Sequence, residues 1–265
     1  MPFSNEAARL IMALPNAYVI AGNKEGYLEN LTGQEVDNKQ MNAVYQTYRE
    51  LAPDVTAYLR GLPRNLRLQS DCGTICVVHD ANIDYYAHWT MNSSGVSDKM
   101  RVQPMPREAY LCAWREAFQG ETFQKAIANC DAEVVLFGHN HLQGHGYSGK
   151  TLVINPGACG QPQDGDNRAA YSILDESNMA VEERRVPYDI NNTIRAARET
   201  HVYAKAPIWL ALVFATLREG LECFHRMFDL ANAIQKEKNE SGFPYTDETW
   251  EAAYAVYTIE QQTKE

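Results

Sequence analysis

Two histidines one residue apart, His139 and His141, stand where a short apolar run gives out. The run is Val134 to Phe137, and Gly138 closes it. A run of this length ending at glycine reads as a buried strand. Neutral imidazole nitrogens bind zinc, iron, nickel and manganese to differing degrees. Sites in α/β sheets gather just beyond the carboxyl ends of strands. The pair therefore suits a metal centre, although a bare His-x-His reads equally well as two polar loop histidines. Two other segments repeat the arrangement. The run ending at Val78 leads into His79-Asp80, and Ala17 to Ala21 reads as a short strand leading into Gly22-Asn23-Lys24-Glu25. Asn23 offers a carbonyl oxygen, but taken alone it is a turn asparagine. Three strand ends carrying ligand-capable side chains suggest convergence at one edge of a sheet.

The elements that must position these residues alternate between helix and strand. Ser4 to Leu14 reads as a helix capped by Ser4 and broken at Pro15-Asn16. Asn38 to Leu51 and a segment opening at Pro53 read as two more. Asn65 to Gln69 and Gly73 to Val78 read as a β-hairpin. Residues 81 to 106 read as a long loop over the site, followed by helices over 107–120 and 121–129. A polar turn separates His141 from a strand over Thr151 to Ile154, which ends at Asn155-Pro156-Gly157. Strands follow over 168–174 and 180–186, the first holding Tyr171 as a packing residue.

From Asp189 onward the pattern is helical. Leu210, Val213, Leu217, Leu221, Phe224 and Phe228 recur at spacings of three and four, the signature of an amphipathic helix or helix pair. His201 and His225 read as ordinary surface or core residues, and His145 as a polar turn residue. The expected division is a domain over 1–188 and a helical extension over 189–265, used for packing or self-association.

Composition limits the function classes. With 45% hydrophobic and 22% charged residues over 265 positions, a soluble globular protein with a sizeable core is expected. The net charge of -10 argues against nucleic-acid binding, which needs a basic footprint. No apolar run approaches the length of a membrane span, and the first residues lack a signal pattern. The six cysteines are scattered. They read as reduced, mostly buried thiols of a cytoplasmic protein, with Cys72 and Cys76 on one face of one strand.

Together, Gly22-Asn23-Lys24-Glu25, Val78-His79, Gly138-His139-Asn140-His141 and the tail NPGACGQPQDGDNRAAYSIL resemble the calcineurin-like metallophosphoesterases, closest to their small bacterial and archaeal phosphodiesterases. The resemblance covers residues 1 to about 188. It implies a four-layer αββα sandwich with two metal ions at one edge and hydrolysis of phosphate mono- or diesters. Carried over by motif, Asn23, His79 and His139 would bind one ion and His141 the other. The ions implied are manganese, iron, zinc or nickel. Lys24 stands where the family usually has a histidine that protonates the leaving oxygen or steadies the phosphate. Arg168 is a candidate phosphate contact, and equally a structural ion pair. Gln163 stands where relatives often carry arginine.

The departure lies at the start. The family opens with an Asp-x-His strand and a Gly-Asp strand, and nothing before Asn23 matches them. The sandwich is therefore expected in an N-terminally truncated form, with one ion or none. Glu25, Asp80 and Asp84 are the carboxylates considered as substitutes. Loss of the bridging carboxylate removes the charge that offsets two close cations, so impaired hydrolysis is expected. The alternative is a non-catalytic metal-binding or interaction protein. The implied substrate is a phosphorylated small molecule or nucleotide.

Overall fold

The computed structural model describes residues 2–79, 109, 112, 116, 118–139 and 141–262. The expected loop over 81–106, most of the helix over 107–120, and Asp80, Asp84 and Asn140 lie outside the described residues. The chain opens with α1 (Ser4–Met12), α2 (Asn23–Leu28), α3 (Asn42–Glu50) and α4 (Pro53–Arg60). The hairpin β1 (Asn65–Ser70) and β2 (Gly73–Val78) follows. Then come α5 (Glu121–Ala128), β3 (Val134–Leu136), β4 (Gln143–Ser148) and β5 (Thr151–Pro156). After β6 (Ala169–Asp175) and β7 (Ala180–Val186) the chain is helical: α6 (Ile190–Arg198), α7 (His201–Lys205), α8 (Pro207–Glu219), α9 (Phe224–Glu237) and α10 (Asp247–Gln262).

The main sheet has the order β1-β2-β3-β5-β4. Its three inner strands run parallel, and both edge strands are antiparallel to their neighbours. Parallel strands are buried on both faces, and these alternate accordingly. Cys76, Val78, Val135 and Val153 pack with Phe118, Phe123 and Ile127 from the helical side. Ile75, Val134, Leu152 and Ile154 pack on the opposite side with Leu174 and Val181 of the β6-β7 hairpin. The result is a mixed α/β fold with helix, sheet and sheet in layers, and a helical C-terminal region.

Several expectations are corrected here. Ala17 to Ala21 is not a strand, despite its β-prone composition. Its Ala21 N–H donates to the Pro63 carbonyl at 2.8 Å. Strand propensity does not supply a ladder partner. The polar turn after His141 is in fact edge strand β4, which pairs with β5 along its whole length. Its Gly146 is required by packing, since a Cβ there would meet the Phe118 ring at 2.8 Å. His145 therefore lies on a strand, 2.8 Å from Glu183. Phe3, not Ser4, is the N-cap residue of α1, and the helix stops at Met12. Cys72 packs on the hairpin side of the sheet while Cys76 faces the helices, so they do not share a face. All six cysteines are free, and Cys76, Cys130 and Cys223 are buried. Tyr171 is exposed on the outer face of β6.

The C-terminal helices bury their apolar stripes on one another, around Trp250, Met227 and Leu212 in one cluster and Leu210, Phe214 and Ile194 in a second. They are also tied to the start of α3 and the residues just before it. Asn38 Nδ2 donates to the Tyr245 carbonyl at 2.9 Å and Asn42 Nδ2 to the Lys205 carbonyl at 3.1 Å. No helix among the described residues is long and apolar enough to cross a membrane.

Candidate metal centre

Because β2 and β3 are parallel neighbours, their carboxyl ends deliver His79 and His139 to the same rim. Gly138 N–H donates to the His79 carbonyl at 2.9 Å and locks the two exits together. His139 Nδ1 then lies 3.1 Å from His79 Nε2, with the rings edge to face. Asn23, at the first turn of α2, brings its Oδ1 to 3.0 Å from the same His79 nitrogen. Gly22 permits this approach. A Cβ there would meet His79 Cε1 at 3.0 Å and Glu25 Oε2 at 3.1 Å. Glu25 does not reach the rim as a ligand; its Oε2 accepts from Gly22 N–H at 2.8 Å and caps α2.

His139 and His141 both have left-handed backbone, with φ of 69° and 61°. Histidine tolerates that region better than most residues, but it still costs about 1–3 kcal/mol per residue. Such strain clusters at functional sites. His141 is held by the loop beyond β5. Its Nδ1–H donates to the Gln161 carbonyl at 2.6 Å, and its own carbonyl accepts from Gln163 N–H at 3.3 Å. A backbone partner on Nδ1 fixes the tautomer and leaves Nε2 with its lone pair.

Two residues of the Asn155-Pro156-Gly157 turn, part of the motif that carries the family resemblance, hold this loop. Asn155 is fully buried; its Nδ2 donates to the Gly138 carbonyl at 3.2 Å and its Oδ1 accepts from Gly157 N–H at 2.9 Å. Gly157 has φ 83° and lies so close to β6 that a Cβ would meet Ala170 Cβ at 2.8 Å. Further along, Asp164 forms a buried ion pair with Arg185 and accepts from Gln143 N–H at 3.0 Å. Asn-Pro-Gly was the signal for the turn. Nothing local marked the Asp164–Arg185 pair, whose partners are 21 residues apart.

Burial, then the neighbouring His139, His141 and Lys24, push His79 down to about 4. Burial likewise lowers His141, although Gln161 opposes it. His79 is thus neutral at neutral pH, the form that binds metal. Burial also lowers Lys24, against the opposing charge of Glu25. Its ammonium sits 5.5 Å from the Tyr27 ring centre. Arg168 is engaged elsewhere: its Nε and Nη2 bind Asp166 of its own loop at 2.9 and 2.6 Å.

A neutral ring nitrogen carries either a proton or a lone pair. His79 Nε2 therefore cannot donate to Asn23 and accept from His139 at once. A cation shared by all three atoms removes the conflict. Imidazole nitrogen and amide oxygen are donor types that divalent ions accept, and all of these are neutral. Among the described residues, no group of three or more His, Cys, Asp or Glu side chains stands in metal-holding geometry.

The fold is thus mixed α/β, with histidines at the ends of parallel strands beside a helix-borne amide. Comparison with known proteins makes it specific. The chain belongs to the calcineurin-like phosphoesterase superfamily, whose domain matches residues 5–179. An uncharacterized protein of Methanocaldococcus jannaschii is 46% identical over 61 residues, 23% of this chain. That match spans 24% of the relative's length. Among solved structures, a metallophosphoesterase from Sphaerobacter thermophilus superposes with a TM-score of 0.60 at 20% identity, covering 82% of each chain. A hypothetical protein from Pyrococcus horikoshii superposes with a TM-score of 0.54 at 17% identity, covering 83% of this chain and 81% of its own. These two likenesses establish the fold.

Proposed function

We propose that this chain is a metal-dependent phosphoesterase acting on phosphate mono- or diesters, with reduced hydrolytic capacity in the polypeptide described. The observation that supports this reading is the convergence of Asn23 Oδ1, His79 Nε2 and His139 Nδ1 at one rim of a phosphoesterase-family fold. Divalent metal bound there would supply Lewis-acid polarisation of the phosphoryl oxygens and a water of lowered pKa for in-line attack. Asn23, His79 and His139 would hold one ion, and His141 would face a second through Nε2. Lys24 is placed to neutralise a phosphate oxygen as a point charge. Its lowered pKa brings it nearer to proton donation to a leaving oxygen. Arg168 reaches a phosphate only by giving up Asp166. The reduced capacity follows from charge, since four neutral donors leave the positive charge of two close cations unbalanced.

The substrate we propose is a phosphorylated small molecule or nucleotide, because a net charge of -10 repels polyanionic nucleic acid. Manganese, iron, zinc and nickel all suit nitrogen and amide-oxygen donors. Free cysteines fit a reducing compartment, and we place the protein in the cytoplasm. The test is hydrolysis of bis-p-nitrophenyl phosphate with added manganese. Slow turnover that disappears in the His79→Ala/His139→Ala variant supports the reading. Robust turnover sinks the reduced capacity, and absence of both manganese binding and turnover sinks the assignment. The neutral donor set favours a second reading, a non-catalytic metal-binding or interaction protein. Manganese binding without any turnover would select it.

A further inference from the structure

The turn between α8 and α9 lies outside the matched family domain, yet three contacts join it to the loop that holds His141. Gly165 N–H donates to the Gly220 carbonyl at 2.9 Å. Asn167 Nδ2 donates to the Arg218 carbonyl at 2.9 Å. Gly220 itself, at φ 67°, presses against the loop so closely that a Cβ would meet Asp166 N, Asp166 C and Asn167 N, each at 3.0 Å. Two backbone bonds from Gln161 and Gln163 of this same loop grip His141. The loop is therefore held from both sides, by His141 at one end and by the helical region at the other.

We propose that the turn between α8 and α9, at Gly220, is a positioning element of the candidate metal centre: it braces the 161–167 loop against His141. The C-terminal helical region thus has a role in the site as well as in packing.

The proposal rests on the metal-site reading, and the experiment separates the two. Manganese affinity is measured by titration calorimetry on the full chain for wild type, His141→Ala, Gly220→Ala and the double variant, with a melting curve for each. Outer-shell partners of metal ligands change affinity by about 10- to 100-fold. Gly220→Ala is expected to weaken manganese binding by about tenfold, and to weaken it no further once His141 is alanine. Asn167→Ala, which removes one contact without backbone strain, replaces Gly220→Ala if that variant fails to fold. Wild-type affinity in the turn variants, or losses that add fully to His141→Ala, would overturn the brace while leaving the metal site intact. If wild type and His79→Ala/His139→Ala bind manganese equally weakly, both readings fall together.

Discussion

The rim receives its donors from two regions built very differently. His79 and His139 leave adjacent parallel strands, with backbone bonded across the sheet and side chains packed on both faces. Asn23 arrives from the first 22 residues, where α1 buries no residue and the segment after it joins no sheet. Leu10 is 72% exposed and Leu14 55%. Yet Asn23 is held to within 3.0 Å of His79. The difference teaches that donor position and fold stability are separable here. On the sheet side one set of interactions does both jobs. On the N-terminal side a glycine and a capping carboxylate place the ligand while contributing little to the core.

Substitutions can break this comparison, and the largest effect belongs to the sheet side. Arg185→Met strands the Asp164 carboxylate in the interior. Removing one partner of a buried pair costs about 3–5 kcal/mol, so urea unfolding is expected to show a loss of that size. A fall below 1 kcal/mol would mean the network behind the loop is not structural. Asn155→Ala leaves the Gly138 carbonyl and Gly157 N–H without their buried partner. A loss of about 1–3 kcal/mol is expected by the same measurement, since that is the usual cost of orphaned buried groups. Manganese affinity should fall in parallel, because the exit of β3 is loosened.

Gly22→Ala sharpens the comparison from the other side. Its Cβ would press on the His79 ring. Metal affinity is expected to drop by about tenfold with little change in melting temperature; equal losses in both would show that the N-terminal segment carries stability after all. The smallest effect is expected for Leu10→Gln. An exposed position away from special features shifts stability by at most about 0.5 kcal/mol, and a larger loss in thermal unfolding would mean that the apolar face of α1 is covered in solution.

Much of the sheet was legible because its period and its composition agree. The runs ending at Val78, Leu136 and Ile154 are apolar on both faces, and parallel strands require that. The amphipathic spacing of Leu210, Val213 and Leu217 gave α8 for the same reason. Errors fell where a long-range contact outweighed a local signal. Ala17 to Ala21 has strand-forming residues but joins no sheet among the described residues. Gln143 to Ser148 has two glycines and a histidine, yet β5 offers it a full ladder and Phe118 needs the space beside Gly146.

The sequence by itself determined which donors exist and that they follow strand ends, because residue type and hydrophobic period are local properties. It also determined that these donors carry no charge of their own. Only the tertiary structure decided that His79 Nε2 meets both Asn23 and His139, that His139 and His141 adopt left-handed backbone, and that a distant turn at Gly220 presses on the loop holding His141. Those outcomes depend on contacts between segments far apart in the chain, where no local preference acts and the packing of the whole decides.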